Sequence, residues 1–174
     1  MRPFDVSDAS AAFSWFSDPE VMRYNPSGPD LKIEDTTARI RRYIEHQRRH
    51  GFSKWVIMDR DTQCMIGDSG FFFLPDNQRV ELGYRLSRSH WGQGLATEVA
   101  RRWIEVAGDY FSQSPIYAFA HSENSASLRV INKLGFRFLR HEVIYGLEAP
   151  LFALPVNSTT SEQSPAAIPA PLDG

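Results

Sequence analysis

Hydrophobic positions recur at helical spacing in five segments of the chain. The clearest runs from Glu34 to His50, where Ile33, Ile40 and Ile44 share one stripe and Gly51 follows the end. Helices are predicted from Ser7 or Asp8 to Phe16, from Asp18 to Tyr24, from Glu34 to His50, from Leu95 to Phe111 and from Ser125 to Leu134.

Short runs of β-branched and aromatic residues separate these helices and predict strands. They are Ser53 to Met58, Met65 to Leu74, Arg79 to Leu86, Ile116 to Ala120, Phe138 to Tyr145 and Leu151 to Val156. Turn-forming residues at 59–62 and 75–77 join the first three as an antiparallel meander. Helices, then a meander, then strand, helix and strand predict an α+β fold with a mixed sheet.

The composition changes near the end of the chain. From Pro155 onward Ser, Thr, Pro and Ala dominate, with too little apolar content to build a core. We therefore expect one folded domain over 1–156 and a disordered Pro/Ala/Ser-rich tail over 157–174.

Charge and cysteine content exclude several classes of partner. The formal net charge of -2 provides no field that would attract the chain to nucleic acid or an anionic membrane. The amino terminus has no apolar signal-like segment, and no apolar run approaches the length of about 20 residues that a bilayer span needs. The single cysteine, Cys64, can form no internal disulfide. These features predict a cytoplasmic protein.

The candidate chemistry begins with a glycine loop between the strand ending at Leu86 and the helix beginning at Leu95. Gly92 and Gly94 would let backbone N–H groups turn toward an anion, and the helix N-terminus adds its partial positive charge. The alternative is a glycine turn that only permits a tight helix start.

Two familiar nucleotide motifs do not fit this loop. A Walker loop requires Lys directly after its second conserved glycine, and neither Gly92 nor Gly94 provides it. A dinucleotide fingerprint requires Gly or Ala at position 97, which is Thr97, and an acidic residue after the next strand, where His121 stands. A nicotinamide-binding module therefore remains only a remote alternative.

Three motifs together resemble one family. The segments 80–86 (VELGYRL), 91–98 (WGQGLATE) and 124–136, which contains Asn124, Ser127 and the final KLGF, occur in family order. The chain resembles the GNAT family of N-acetyltransferases, in the branch typified by the ribosomal-protein alanine acetyltransferases, up to about Val156.

The resemblance implies a fold, a cofactor and a set of binding residues. The GNAT fold has a mixed, mostly antiparallel sheet of about six to seven strands, flanked by helices and splayed at the cofactor cleft. Arg2, Pro3 and Phe4 match an N-terminal strand, which we expect to be short. Acetyl-CoA is the implied co-substrate, held by Leu86, Trp91, Gly92, Gln93, Gly94, Leu95, Ala96, Thr97, Asn124 and Ser127.

Glu81 is the first candidate for the general base, because distant family members place a catalytic glutamate near this position. Strand alternation puts Glu81, Gly83 and Arg85 on one face, and a bulge at Gly83 would part this strand from the next parallel one. The alternative is a glutamate paired with a cation on the solvent face. His121 and Glu123 are rival bases.

The proton donor is less clear. Many family members have a tyrosine seven residues after the asparagine of the second motif, and this chain has Ile131 there. Ser127 or water is left as the acid, and Ser127 and Asn124 are also candidates for cofactor contacts.

The acceptor side carries fewer signals. Trp15, Tyr24 and Trp55 are candidates for lining an acceptor pocket, or are simply core residues. His46 and His50 have a spacing that can bind zinc, but no third ligand is apparent, so no metal is expected.

We therefore expect an N-acetyltransferase that moves the acetyl group of acetyl-CoA to a primary amine by direct transfer in a ternary complex. The acceptor is a protein N-terminus or a small-molecule amine, and the enzyme is a monomer or homodimer. A non-catalytic domain that binds or senses acyl-CoA is the alternative from a different class.

Overall fold

A computed structural model describes residues 1–111 and 114–155. The described strands form one seven-stranded sheet in the order β1-β2-β3-β4-β5-β7-β6. They are β1 (Arg2–Pro3), β2 (Lys54–Met58), β3 (Met65–Phe73), β4 (Val80–Leu86), β5 (Ile116–Phe119), β6 (Arg137–Ile144) and β7 (Leu147–Leu154). The predicted mixed α+β sheet is confirmed, while the domain end at 156 and the tail at 157–174 lie outside the described residues.

Five α-helices flank this sheet within the described ranges. They are α1 (Ala9–Phe16), α2 (Pro19–Met22), α3 (Ile33–His50), α4 (Leu95–Tyr110) and α5 (Ser125–Lys133). Gly51 ends α3 in the left-handed conformation, as the sequence predicted. All five predicted helices are present, and their ends differ from the predicted ones by a few residues at most.

The sheet is antiparallel except at its centre. β2 to β4 form the expected meander, and β1, the short edge strand that Arg2 and Pro3 predicted, pairs antiparallel with β2. β4 and β5 run parallel, but they pair only at Val80 with Ile116 and at Glu81 with Tyr117. Beyond Glu81 the two strands part.

The parting does not involve the predicted bulge. The register between β3 and β4 is continuous, with Gly83 directly opposite Gly70, so the expected bulge at Gly83 is absent from this ladder. The pairing of β4 with β5 ends after Glu81. Gly83 instead leaves space for the side chain of Lys54.

Each face of the sheet packs against its own helices. On one face, Val80, Leu82 and Leu86 of β4 join a core with Trp103 of α4 and Ile131 of α5. On the other face, α1 and α3 bury a second core that includes Trp15, Phe16 and Ile40. Glu81 and Arg85 belong to this second face by strand alternation, which confirms the predicted division of β4.

Two local features differ from the predicted ones. Asp8 is the N-cap residue of α1, as predicted, but its side chain pairs with Arg2 at 2.8 Å instead of capping this helix, and Asp5 caps the 3₁₀ turn that precedes α1. The last strand begins at Leu147 instead of Leu151, because Tyr145 and Gly146 adopt left-handed conformations and close a tight turn after β6.

Candidate active site

A cavity of about 700 Å³ opens where β4 and β5 part. Its walls come from β4, the start of α4, α5, and α2 with the loop after it. Of the predicted site residues, it is lined by Glu81, Leu86, Trp91, Gly92, Gly94, Leu95, Ala96, Thr97, Asn124 and Ser127. Gln93 does not line the cavity, and its side-chain amide instead donates to the backbone carbonyl of Ser89 at 3.0 Å.

The glycine loop forms one end of the cavity. Gly92 and Gly94 have φ angles of 75° and 82°, the left-handed region that favours glycine. Gly94 is the N-cap of α4 and caps it without a side chain. The first N–H groups of a helix have no acceptor within the helix, so this end of the cavity is suited to an anion.

Trp91 fastens the loop to the end of β4. Its indole N–H donates to the Leu86 carbonyl at 2.7 Å, while 48% of the residue remains exposed. One turn earlier, the Arg88 guanidinium pairs with Asp18 at 2.8 Å, just before α2. The Trp91 contact holds the glycine loop against β4, and the Arg88–Asp18 pair links the segment before this loop to the start of α2.

Glu81 lies where β4 and β5 part, at the floor of the cavity. Only 13% of its side chain is exposed, and its Oε1 lies 3.5 Å from Nζ of Lys54 on β2. The expected alternative was an ion pair on the solvent face; the ion pair exists, but it lies inside the cavity. Lys54 also lines the cavity.

Arg85 is the second cation of this floor, and Asp68 of β3 neutralises it. The Arg85 guanidinium donates to Asp68 at 2.9 and 2.6 Å and to the Tyr43 hydroxyl at 2.7 Å. Burial lowers the pKa of Arg85, but the charges of Asp68 and Tyr43 and the hydrogen bonds to both together outweigh burial and leave the pKa above its usual range. Arg85 is therefore a fixed positive charge.

The α5 wall presents a capped helix start. Asn124 Oδ1 accepts the Ser127 N–H at 3.1 Å, so Asn124 is the N-cap. The Tyr84 hydroxyl donates to the Ser127 carbonyl at 3.4 Å, and burial raises the pKa of Tyr84 to about 12. Ile131 lines the cavity one turn further along the helix.

The rim of the cavity is aromatic. Tyr24, from the segment after α2, stacks on His121 at the end of β5, with ring centres 5.1 Å apart. His121 Nδ1 accepts the Glu123 N–H at 3.2 Å, so the neutral ring carries its proton on Nε2. In this tautomer the one ring lone pair of His121 is engaged by the Glu123 N–H.

The other two aromatic candidates lie outside the cavity. Trp15 is fully buried and donates to Asp68 at 3.2 Å, while Trp55 donates to Gln47 at 2.9 Å. Neither residue lines the cavity. Of the three residues proposed for the acceptor pocket, Tyr24 alone remains a candidate.

The two histidines of α3 belong to an aromatic cluster. The His46 ring lies 4.7 Å from that of His50, and its Nδ1 is 2.7 Å from the Phe52 carbonyl. Within residues 1–111 and 114–155, no three His, Cys, Asp or Glu side chains cluster as metal ligands. No helix in these ranges is long and apolar enough to cross a membrane.

Sequence reasoning missed Lys54 and the loop after α2. Lys54 shares a strand face with Val56, which is fully buried, so a cation occupies a core-facing position of β2. A charged residue at a core-facing strand position was the feature of the sequence that could have identified Lys54. Its partner, Glu81, becomes visible only when the strands are assembled.

A sheet that opens between two parallel central strands, with a glycine loop and a helix start at the opening, forms a cleft suited to a phosphate-bearing co-substrate. The family model of the acetyltransferase (GNAT) domain matches residues 1–137. The chain belongs to the GNAT acetyltransferase family, and it is an acetyl-CoA-dependent acyltransferase.

Relatives agree with this assignment. The chain is 33% identical over 139 residues to the uncharacterized N-acetyltransferase YoaA of Bacillus subtilis, which covers 79% of this chain and 78% of that protein. The fold is similar to that of the ribosomal-protein-S5-alanine acetyltransferase from Vibrio fischeri. The TM-score is 0.71 at 18% identity, and the match covers 92% of this chain and 94% of that one. It is also similar to the spermidine N-acetyltransferase from Vibrio cholerae, solved with CoA and spermine. The TM-score is 0.73 at 17% identity, and the match covers 90% of this chain and 95% of that one.

Proposed function

We propose that this enzyme transfers the acetyl group of acetyl-CoA to a primary amine by direct attack in a ternary complex. The observation that carries the proposal is one continuous cavity, with the glycine loop at one end and the carboxylate of Glu81 at the floor. An anion site and a base in one cavity are what acyl transfer to an amine requires.

The glycine loop suits the pyrophosphate of acetyl-CoA. Gly92 and Gly94 carry no side chain that would intrude, and the open first turn of α4 offers N–H donors together with the helix dipole. Backbone groups from Gly92 to Thr97 would hold the phosphates, with Leu86 and Trp91 beside them. The N-capped start of α5, Asn124 with Ser127, faces the same cavity and would contact the cofactor from the other side.

Glu81 is proposed as the general base. The incoming amine loses a proton to the Glu81 carboxylate, its nitrogen bonds to the acetyl carbon, and the carbon–sulfur bond breaks. The departing thiolate takes a proton from the Ser127 hydroxyl or from water. A carboxylate has lone pairs on both oxygens, so Glu81 can keep its contact with Lys54 and still accept the proton.

The acceptor is proposed to be a protein N-terminus or a small-molecule amine. Among proteins of similar fold, one is named for ribosomal protein S5 alanine and another for spermidine, so the fold serves both kinds of acceptor. The enzyme is proposed to act in the cytoplasm as a monomer or homodimer.

The test is release of free thiol from acetyl-CoA over a panel of small amines and N-terminal peptides. At least one acceptor should accelerate thiol release by wild-type enzyme well above hydrolysis. If every member of a broad panel gives only background, and acetyl-CoA still binds, a binding or sensing domain becomes the better interpretation.

The Glu81→Gln variant tests the base with the acceptor found in that panel. It removes the proton acceptor but keeps the size of the side chain, so kcat/KM should fall about 10²-fold or more near neutral pH. Glu105→Gln, on the exposed face of α4, is the matched control and should retain wild-type activity. A loss of less than threefold for Glu81→Gln would exclude Glu81 as the base.

A further inference from the structure

Lys54 is a buried cation in the floor of the same cavity. Its side chain is 6% exposed, and Nζ donates to the Gly70 carbonyl at 2.8 Å and lies 3.5 Å from Glu81 Oε1. Taking an ammonium out of water is costly unless an opposite charge and hydrogen bonds compensate it. A lysine that only packed in the core would more cheaply be an apolar residue.

Gly83 provides the space that Lys54 occupies. A Cβ atom at position 83 would lie 2.6 Å from Lys54 Nζ, closer than real Cβ contacts. Gly83 follows Glu81 on the same face of β4, so the ammonium fits against the strand beside the carboxylate. Lys54, Glu81 and Gly83 therefore form one unit built from two strands.

The surrounding charges leave Glu81 as the partner of Lys54. Arg85 is already neutralised by Asp68, through two hydrogen bonds. The other titratable or charged groups that face this pair are His46 and Tyr43 of α3, Asp68 of β3, Arg85 of β4, Tyr117 of β5 and Tyr145 after β6.

We propose that Lys54 is a positioning residue: its ammonium holds Oε1 of Glu81, so that Oε2 is presented to the acceptor amine. This inference rests on the proposed function. The same contact fixes the rotamer of Glu81 in the cavity.

Two variants test this role by different routes. Lys54→Met removes the charge at nearly constant volume, and Gly83→Ala keeps every charge but forces Nζ away from its place. In both, kcat should fall at least about tenfold while the KM for acetyl-CoA stays within about twofold, because the carboxylate is displaced and the cofactor site is not. Arg41→Met, which removes an exposed charge of α3, should leave both constants unchanged.

A double variant separates positioning from simple structural support. If Lys54 acts through Glu81, Lys54→Met should lower kcat/KM at least tenfold in the wild type and less than twofold in the Glu81→Gln background. A second readout needs no turnover: the ¹³C NMR resonance of the Glu81 carboxyl in the ligand-free protein at neutral pH. This resonance should move in Lys54→Met and in Gly83→Ala, because both variants change what contacts Oε1.

The outcomes distinguish this inference from the proposed function. An unchanged kcat and an unchanged NMR resonance in both variants, or equal losses in both backgrounds, would overturn the role of Lys54 while leaving Glu81 as the base. If Glu81→Gln itself is fully active, the base assignment fails, and the role of Lys54 fails with it. A wild-type enzyme that acetylates no amine overturns the proposed function, whatever the NMR spectrum shows.

Discussion

His46 is a titratable ring enclosed by aromatic side chains. It stacks on Phe72 with centres 4.0 Å apart, and Nδ1 lies 2.7 Å from the Phe52 carbonyl. The Phe73 N–H points to Nε2 at 3.4 Å, so Nδ1 donates, Nε2 accepts and the ring is neutral. Burial lowers the pKa of His46 below its usual value of about 6.5. Because this pKa differs between the folded and unfolded states, the free energy of unfolding depends on pH.

This environment predicts a loss of stability in mild acid. The unfolded chain takes up a proton on His46 at higher pH than the folded protein does, so the free energy of unfolding falls as pH drops below about 6.5 toward the lowered folded-state pKa. Urea unfolding between pH 8 and pH 5 should show this loss, and His46→Gln should flatten it. His141→Gln, on exposed β6, is the control and should keep the wild-type slope; equal slopes in all three proteins would contradict the prediction.

At the scale of elements, the loop into α4 depends on backbone conformation more than on side chains. Gly94 and Gly51 each adopt a left-handed φ, 82° and 79°, with no atom within 4 Å of where a Cβ would lie. One begins a helix at the cavity and the other ends a helix elsewhere. Alanine at either position therefore introduces similar backbone strain, about 1 to 2 kcal/mol.

The pair of glycines gives a controlled test of the cofactor loop. Gly94→Ala should weaken acetyl-CoA binding about fivefold or more, because relief of about 1 kcal/mol of strain turns the N–H groups away from the anion. Gly51→Ala should lose comparable stability but bind acetyl-CoA like the wild type. Calorimetric titration measures both constants, and equal affinities for the two variants would show that the loop does not bind through its backbone.

Across the whole molecule, the cavity joins segments that are far apart in the chain. Tyr24, Lys54, Glu81, Trp91 and His121 all line it, although nearly one hundred positions separate the first from the last. A ligand that touches all of these walls must stabilise the complete fold.

Ligand linkage gives the prediction for the whole molecule. Acetyl-CoA at about 100 times its Kd should stabilise the fold by about 2.7 kcal/mol, which raises Tm by roughly 5 to 10 °C at this size. NAD at the same concentration should leave Tm unchanged. A scanning fluorimetry plate measures both, and a shift with NAD but not with acetyl-CoA would favour the dinucleotide interpretation.

The sequence by itself determined the elements and the position of the loop. Helical and alternating periods are local, so α3, α4 and the two faces of β4 could be predicted to within a few residues. The loop at Gly92 and Gly94 was recognisable because left-handed backbone conformations, such as those before α4, strongly favour glycine. Glu81 was a candidate because the family resemblance places a catalytic glutamate near this position, and strand alternation gave its face.

Only the tertiary structure decided what surrounds Glu81. The contact with Lys54, the space left by Gly83 and the end of the β4–β5 pairing all depend on how distant strands assemble, which no local period encodes. The predicted bulge at Gly83 was wrong because a glycine indicates only that the backbone is free to bend at that position. Where the pairing of β4 with β5 ends depends on how the strands assemble. The loop is thus a local feature of the sequence, whereas the charged floor that faces the acceptor exists only in the folded protein.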